Sequence, residues 1–298
     1  MPTIADLEHE LNQNTKAPPV EAVLAKFRFD GVDALAKKTG RNVIAYYSAF
    51  MTRRVQGIDI SDTDINAFMN VVNGMDRKKG LDLVLHTPGG GITATEHLVH
   101  YLRDLFGTDI RCIVPQAAFS AGTMIACATR EILMGRQSCL GPIDPQFNGF
   151  PCHGIIEEFK EAVSQIRNDP SYIAVWRPVI EQYKPTFLGE CQKAIEMSNE
   201  FVGDWLRTGM FAGDPHAKAK AKKIVDKLGN HAYTKTHDRH IPAGEAEKLG
   251  LKIKRIEDDQ DLQEKVLTLH HAFMLTFERT KLVKIVLGDN GRQYLAGG

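Results

Sequence analysis

The sequence has no excess of either charge, since 37 lysines and arginines stand against 37 aspartates and glutamates and no long block of one sign occurs. That balance argues against a chain built to wrap nucleic acid or to lie on an anionic membrane. Cysteine is sparse: Cys112, Cys127, Cys139, Cys152 and Cys191 are odd in number, scattered, and form no CxxC pair. Such thiols are expected to be free and buried in a reducing compartment, so the expected location is cytoplasmic. The N-terminal stretch "MPTIADLEHELNQNTKAPP" carries acids and no continuous apolar run, so neither a secretory signal nor a membrane anchor is expected. A GxGxxG fingerprint and the lysine of a P-loop are both missing, which argues against a nucleotide, and no cofactor is expected.

What is present is an alternation. At 298 residues the chain is long enough to bury roughly three quarters of its unfolded surface. The first forty residues carry helical spacing broken at Pro18-Pro19, and after Gly40 the pattern changes. Strand-like "NVIAYYSAF", "LDLVLHTP", "IRCIVPQ" and "EILMG" are separated by helix-like "SDTDINAFMNVVNGM", "TATEHLVHYLRDLFG" and "SAGTMIACAT". Short apolar strands separated by helices predict an α/β fold with a mostly parallel sheet covered on both faces. The expected division is a helical N-terminal extension (1–40), an α/β domain (41–258) with a helical insertion at about 155–228, and a C-terminal helix and short strand (259–298).

In an open parallel sheet, ligands bind beyond the carboxyl ends of the strands. Two consecutive strands end there in unusual sequences: "LHTPGGG" (85–91) and "QAAFSAG" (116–122). Three glycines let the backbone approach a bound group with exposed N–H donors; a tight turn or a phosphate cradle is the alternative. Ser120, at the first turn of the next helix, has the position of an N-cap and also that of a nucleophile. A hydroxyl from one loop facing donors from its neighbour is the arrangement of acyl transfer, where each oxyanion donor is worth about 3 to 4 kcal/mol.

The pairing of "LVLHTPGGG" with "VPQAAFSAGTMIACA", followed by "GRQSCLGPIDPQ", resembles the superfamily of Clp protease proteolytic subunits, signal peptide peptidase A and the stomatin-cleaving proteases. Within it the chain is most similar to the serine dehydrogenase proteinase family, over about residues 40 to 255. The resemblance implies a Clp/crotonase-like fold of repeated ββα units and a serine peptidase acting on polypeptides through an acyl-enzyme. It also implies assembly into a homo-oligomer. It carries the nucleophile to Ser120 and the oxyanion donors to the backbone N–H groups of Gly90 and Ala121, with Gly89 beside them.

The proton acceptor departs from the Clp pattern. The position of the Clp histidine falls on Asp144, in "LGPIDPQ", so that triad is not intact. Stomatin-cleaving relatives place a lysine about forty residues beyond the serine, and Lys160, in "IIEEFKEAV", stands there. A Ser120–Lys160 dyad is the expectation. A lysine serving as base must fall from about 10.4 to about 7 or 8, which requires burial away from carboxylates such as Glu157 and Glu158. Asp144 and His153 are supporting candidates. His97 and His100, one turn apart, and His231, His237 and His240, close in sequence, lack a third ligand set of cysteine or acids, so no metal is expected. A crotonase-like acyl-CoA enzyme and a non-catalytic scaffold of the same fold are the competing functions.

Overall fold

The computed structural model describes residues 4–13, 19–147, 149–229, 236 and 239–297; His231 and His237 lie outside them. The centre is a seven-stranded sheet made from β1 (Asn42–Ser48), β2 (Leu81–His86), β3 (Ile110–Val114), β5 (Glu131–Met134), β10 (Ile253–Arg255), β11 (Leu282–Gly288) and β12 (Gln293–Gly297). Its order is β10-β5-β3-β2-β1-β11-β12. The first five run parallel, and β11 and β12 are antiparallel to their neighbours.

Every residue of β1 and β2 is buried, because each strand carries apolar side chains to both faces. On one face Ile44, Tyr46, Leu83 and Leu85 pack with α3 (Asp64–Val72), α4 (Ile92–Phe106) and α5 (Ala121–Cys127). On the other, Val43, Ala45, Tyr47 and Val84 pack with residues of α2 (Val20–Thr39) and α11 (Gln260–Arg279). The outer side of that helical layer is closed by α1 (Ile4–Gln13), whose Leu7 and Leu11 cluster with Leu24 and Leu275. Helix α2 stops at Gly40, which takes the left-handed conformation (φ 67°) that only glycine adopts without cost. Helix α11 starts where the Asp259 carboxylate accepts the Leu262 N–H at 3.0 Å. The C-terminal segment is thus part of the sheet: β11 pairs with β1 and brings Lys284 opposite Ser48.

A second small sheet joins β4 (Ala117–Ala118), β6 (Cys139–Leu140) and β9 (Ile241–Pro242). The succession β3, β4, α5 is the ββα unit that positions the site. After the β7–β8 hairpin (Gln146–Phe147 with Phe150–Pro151) comes a helical arm of α6 (Cys152–Asn168), α7 (Ile173–Ile180) and α8 (Phe187–Trp205), followed by α9 (Ala217–Leu228) and, after β9, α10 (Ala243–Leu249). Cys152 and Ile155 of α6 pack on Cys191 and Ile195 of α8, while Val202 and Trp205 at the far end of α8 join the main core. Among the described residues, no helix is long and apolar enough to cross a membrane.

Candidate active site

The carboxyl ends of β2 and β3 are stitched together beyond the main sheet. Thr87 N–H donates to the Ala117 carbonyl (3.2 Å) and Phe119 N–H donates to the Thr87 carbonyl (3.0 Å). The small residues of "FSAGT" are required by this closeness: a Cβ on Gly122 would lie 2.6 Å from Thr87 Cγ2. The Thr123 hydroxyl donates to the Ala118 carbonyl and accepts the Gly141 N–H, both at 2.9 Å. The "GPID" loop is thereby tied to the same junction.

Ser120 stands at the N-cap position of α5, yet its side chain makes no capping hydrogen bond. Its backbone has φ 49° and ψ −116°, a conformation costing a non-glycine residue on the order of 1–3 kcal/mol. The strained turn leaves the hydroxyl without a capping bond to its own helix. Gly89 (φ 106°) packs directly on it, since a Cβ there would lie 2.7 Å from Ser120 Cβ and 3.0 Å from Ala121 N.

Gly90 is held from behind. Ile60 N–H donates to the Gly89 carbonyl (2.7 Å), and Gly91 N–H donates to the Ile60 carbonyl (2.9 Å). These bonds use the groups on either side of Gly90, so its own N–H faces away from Ile60. A Cβ on Gly90 would sit 2.2 Å from the Ile60 oxygen. Ala121 begins α5, and helix geometry leaves its N–H without an i−4 acceptor.

Ser120, Ala121 and Gly90 line one cavity of about 510 Å³. Its apolar wall includes Met124, Ile143, Phe147 and Met197, and Asp59, Glu190 and Lys193 add charge. Lys193 is exposed and ion-paired with Glu190 at 3.4 Å. The cavity thus brings Ser120, Gly90 and Ala121 together beside an apolar recess.

Lys160 does not join this set. It is exposed on α6 and borders a separate depression with Ile156, Phe159, Val163 and Leu188. Helix α6 buries Cys152, Ile155 and Ala162, and at 100° per residue Lys160 lies to one side of that face, about 80° from Cys152 and about 140° from Ile155. Spacing along the chain singled out the lysine, but it lines a different depression from Ser120. Asp144 is fully buried and lies near the Cys152 thiol, which burial first and then Cys191 and Asp144 push up to about 12. His153 is half-buried in the first turn of α6, and neither it nor Asp144 lines the Ser120 cavity. His97 and His100 are exposed on α4, and no group of three or more metal-ligating side chains occurs among the described residues.

Two arrangements were not read from the sequence. The His240 ring meets Phe119, the residue before Ser120, edge-on at 5.0 Å. His86, which immediately precedes the "TPGGG" loop, packs between Tyr47 (5.4 Å), Phe50 (4.7 Å) and His270 (5.3 Å). Burial drives the His86 imidazole down to about 3, so it is neutral at ordinary pH. The available signal was its position, a histidine ending an apolar strand just before the glycines.

Two proteins of Methanocaldococcus jannaschii are similar to this chain. The uncharacterized protein MJ0137 is 29% identical over 214 residues, covering 72% of this chain and 65% of its own length. The uncharacterized protein MJ1495 is 30% identical over 173 residues, covering 58% and 51%. The chain therefore spans about half to two thirds of the length of these relatives. The profile of the ClpP-like SDH-type serine proteinases matches residues 23–286. That match runs from within α2 to within β11 and takes in both loops of the cavity, and the chain belongs to this ClpP-like serine proteinase family.

Proposed function

We propose that the chain hydrolyses peptide bonds in polypeptide substrates, with Ser120 as nucleophile and the N–H groups of Gly90 and Ala121 as the oxyanion hole. The observation that carries this reading is the close approach of Gly89 to Ser120 and to the Ala121 nitrogen, beside a serine side chain that makes no capping bond. Ser120 Oγ attacks the scissile carbonyl as its proton passes to a base, and the two amides hold the developing oxyanion. The amine leaves with that proton, and water then hydrolyses the acyl-enzyme. As the ClpP-like family suggests, the working form in this reading is a homo-oligomer.

The base in this reading is a lysine of the arm. Position favours Lys193, which lines the cavity, whereas Lys160 needs a rearrangement of α6 to reach it. Ser120→Ala abolishes peptide cleavage and fluorophosphonate labelling while leaving the fold intact; full activity in that variant overturns the proposal. Lys193→Met reduces turnover at least a hundredfold, within the range of lost general-base catalysis, and Lys160→Met leaves it within about threefold. The reverse pattern restores the Ser120–Lys160 dyad.

A further inference from the structure

Strand β11 reads "LVKIVLG", an apolar run with one lysine in it. Lys284 is 3% exposed, and the carboxylate it meets, Asp64, is 2% exposed. The ammonium donates to both Asp64 oxygens, at 2.8 and 3.0 Å, and to the Asp59 carbonyl at 2.7 Å. Asp64 also accepts the Tyr46 hydroxyl at 2.8 Å and the Ser61 N–H at 3.0 Å. The ammonium lies 5.6 Å from the centre of the Tyr46 ring. Three ammonium hydrogens and the carboxylate are thus matched without water.

Stability alone does not account for such a pair. Two ions taken from water often gain little over apolar residues of the same volume, so a buried ion pair is weak evidence for added stability. What this pair defines is the short segment from Asp59 to Ser61, gripped at Asp59 by Lys284 and at Ser61 by Asp64. Ile60, between them, is the residue whose N–H and carbonyl hold Gly89 and Gly91. Asp59 itself lines the Ser120 cavity.

We infer that Lys284 and Asp64, joined by Tyr46, are positioning residues for the oxyanion hole: they fix Ile60, and Ile60 fixes the direction of the Gly90 N–H. The ammonium touches neither Gly90 nor Ser120. It acts through two linked steps, Asp59 to Ile60 along the chain and Ile60 to the glycine loop by hydrogen bonds. Gly90 has no side chain with which to hold itself, so its orientation is inherited from the segment behind it. The catalytic half of this inference rests on the proposed peptidase activity of Ser120.

The test replaces both charges at once. Lys284→Met with Asp64→Asn avoids a lone buried charge, and the amide introduced by Asp64→Asn retains an oxygen for Tyr46 and Ser61. Hydrogen exchange of residues 87–92 is read first, since it needs no activity. Exchange in that segment is expected to rise at least tenfold while β1 and α5 keep wild-type rates. Unchanged exchange at 87–92 overturns the inference whatever the enzyme does, and so does a uniform rise across the sheet, which marks a merely structural role. The second measurement is turnover: kcat and the rate of Ser120 phosphonylation fall roughly ten- to hundredfold, with KM within about twofold. Unchanged kcat in an active enzyme removes the catalytic half. A wild-type protein inert to both substrate and phosphonate refutes the peptidase reading, and the exchange result still judges the network.

Discussion

The junction of the glycine loop with Ser120 and the helical arm from α6 to α8 solve opposite packing problems. At the junction, three added methyl positions, on Gly89, Gly90 and Gly122, would each fall within 2.7 Å of a neighbouring atom. Small residues and paired backbone groups leave no freedom there. The arm instead turns apolar side chains outward: Val163, Tyr172, Ile173 and Val175 are 43–63% exposed, and α7 has no buried residue. The proposed catalytic geometry must be fixed to fractions of an ångström, and the close packing at the sheet ends suits that demand. The arm borders the cavity through Glu190, Lys193 and Met197 and is held by a smaller cluster of its own. A closely packed junction and a more exposed arm are thus assigned to different parts of the chain.

The largest expected effect breaks the closely packed half. Gly90→Ala sets a Cβ against the backbone of Ile60, which side-chain rotation cannot relieve. The loop must move and its N–H with it. Turnover is expected to fall a hundredfold or more, the range for loss of one oxyanion donor, while circular dichroism keeps its wild-type shape. Wild-type kcat in Gly90→Ala removes Gly90 from the site.

A medium effect concerns the layer behind the loop. His86 is buried with its imidazole down at about 3, and His270 is pushed well below its ordinary value by burial first and by His86 and His271 next. In the unfolded chain both return to about 6.5. Between that value and about 3, the unfolded state binds protons that the folded state refuses, so stability is complete above pH 6.5 and falls as pH drops. Each histidine contributes at most about 1.4 kcal/mol per pH unit. The melting temperature is expected to fall steadily as pH drops below about 6.5, and His86→Phe should flatten that slope. A slope unaltered by His86→Phe would show that other groups govern acid lability.

The same contrast explains what was legible in the sequence. That Ser120 and the glycines come together was readable because the requirement is local: small residues at a strand end suit close backbone approach. The alternation of strands and helices was readable because burial on both faces of a parallel sheet imposes continuous apolar runs. The phase of α6 was not. Its lysine count matched a relative's spacing, but which side faces the cavity depends on how Cys152 and Ile155 meet Cys191 and Ile195. Lys284 was hidden for another reason: its partner Asp64 is 220 residues away in sequence, and only the antiparallel pairing of β11 with β1 brings them together. A lone lysine in an apolar strand was the one local sign.

The smallest effect tests the arm. Val175 is 63% exposed, so Val175→Ser removes little buried area and should shift stability by no more than about 0.5 kcal/mol, with kcat unchanged. Ala162, 1% exposed on the α6 face toward the rest of the arm, is the internal control. Ala162→Asp buries an unpaired carboxylate and should cost several kcal/mol, or at least unfold the arm, seen as fast hydrogen exchange over 152–195. If Val175→Ser instead lowers the melting temperature as much as Ala162→Asp does, the outward face of α7 is covered in solution, and the division between a locked junction and an open arm fails on the side of the arm.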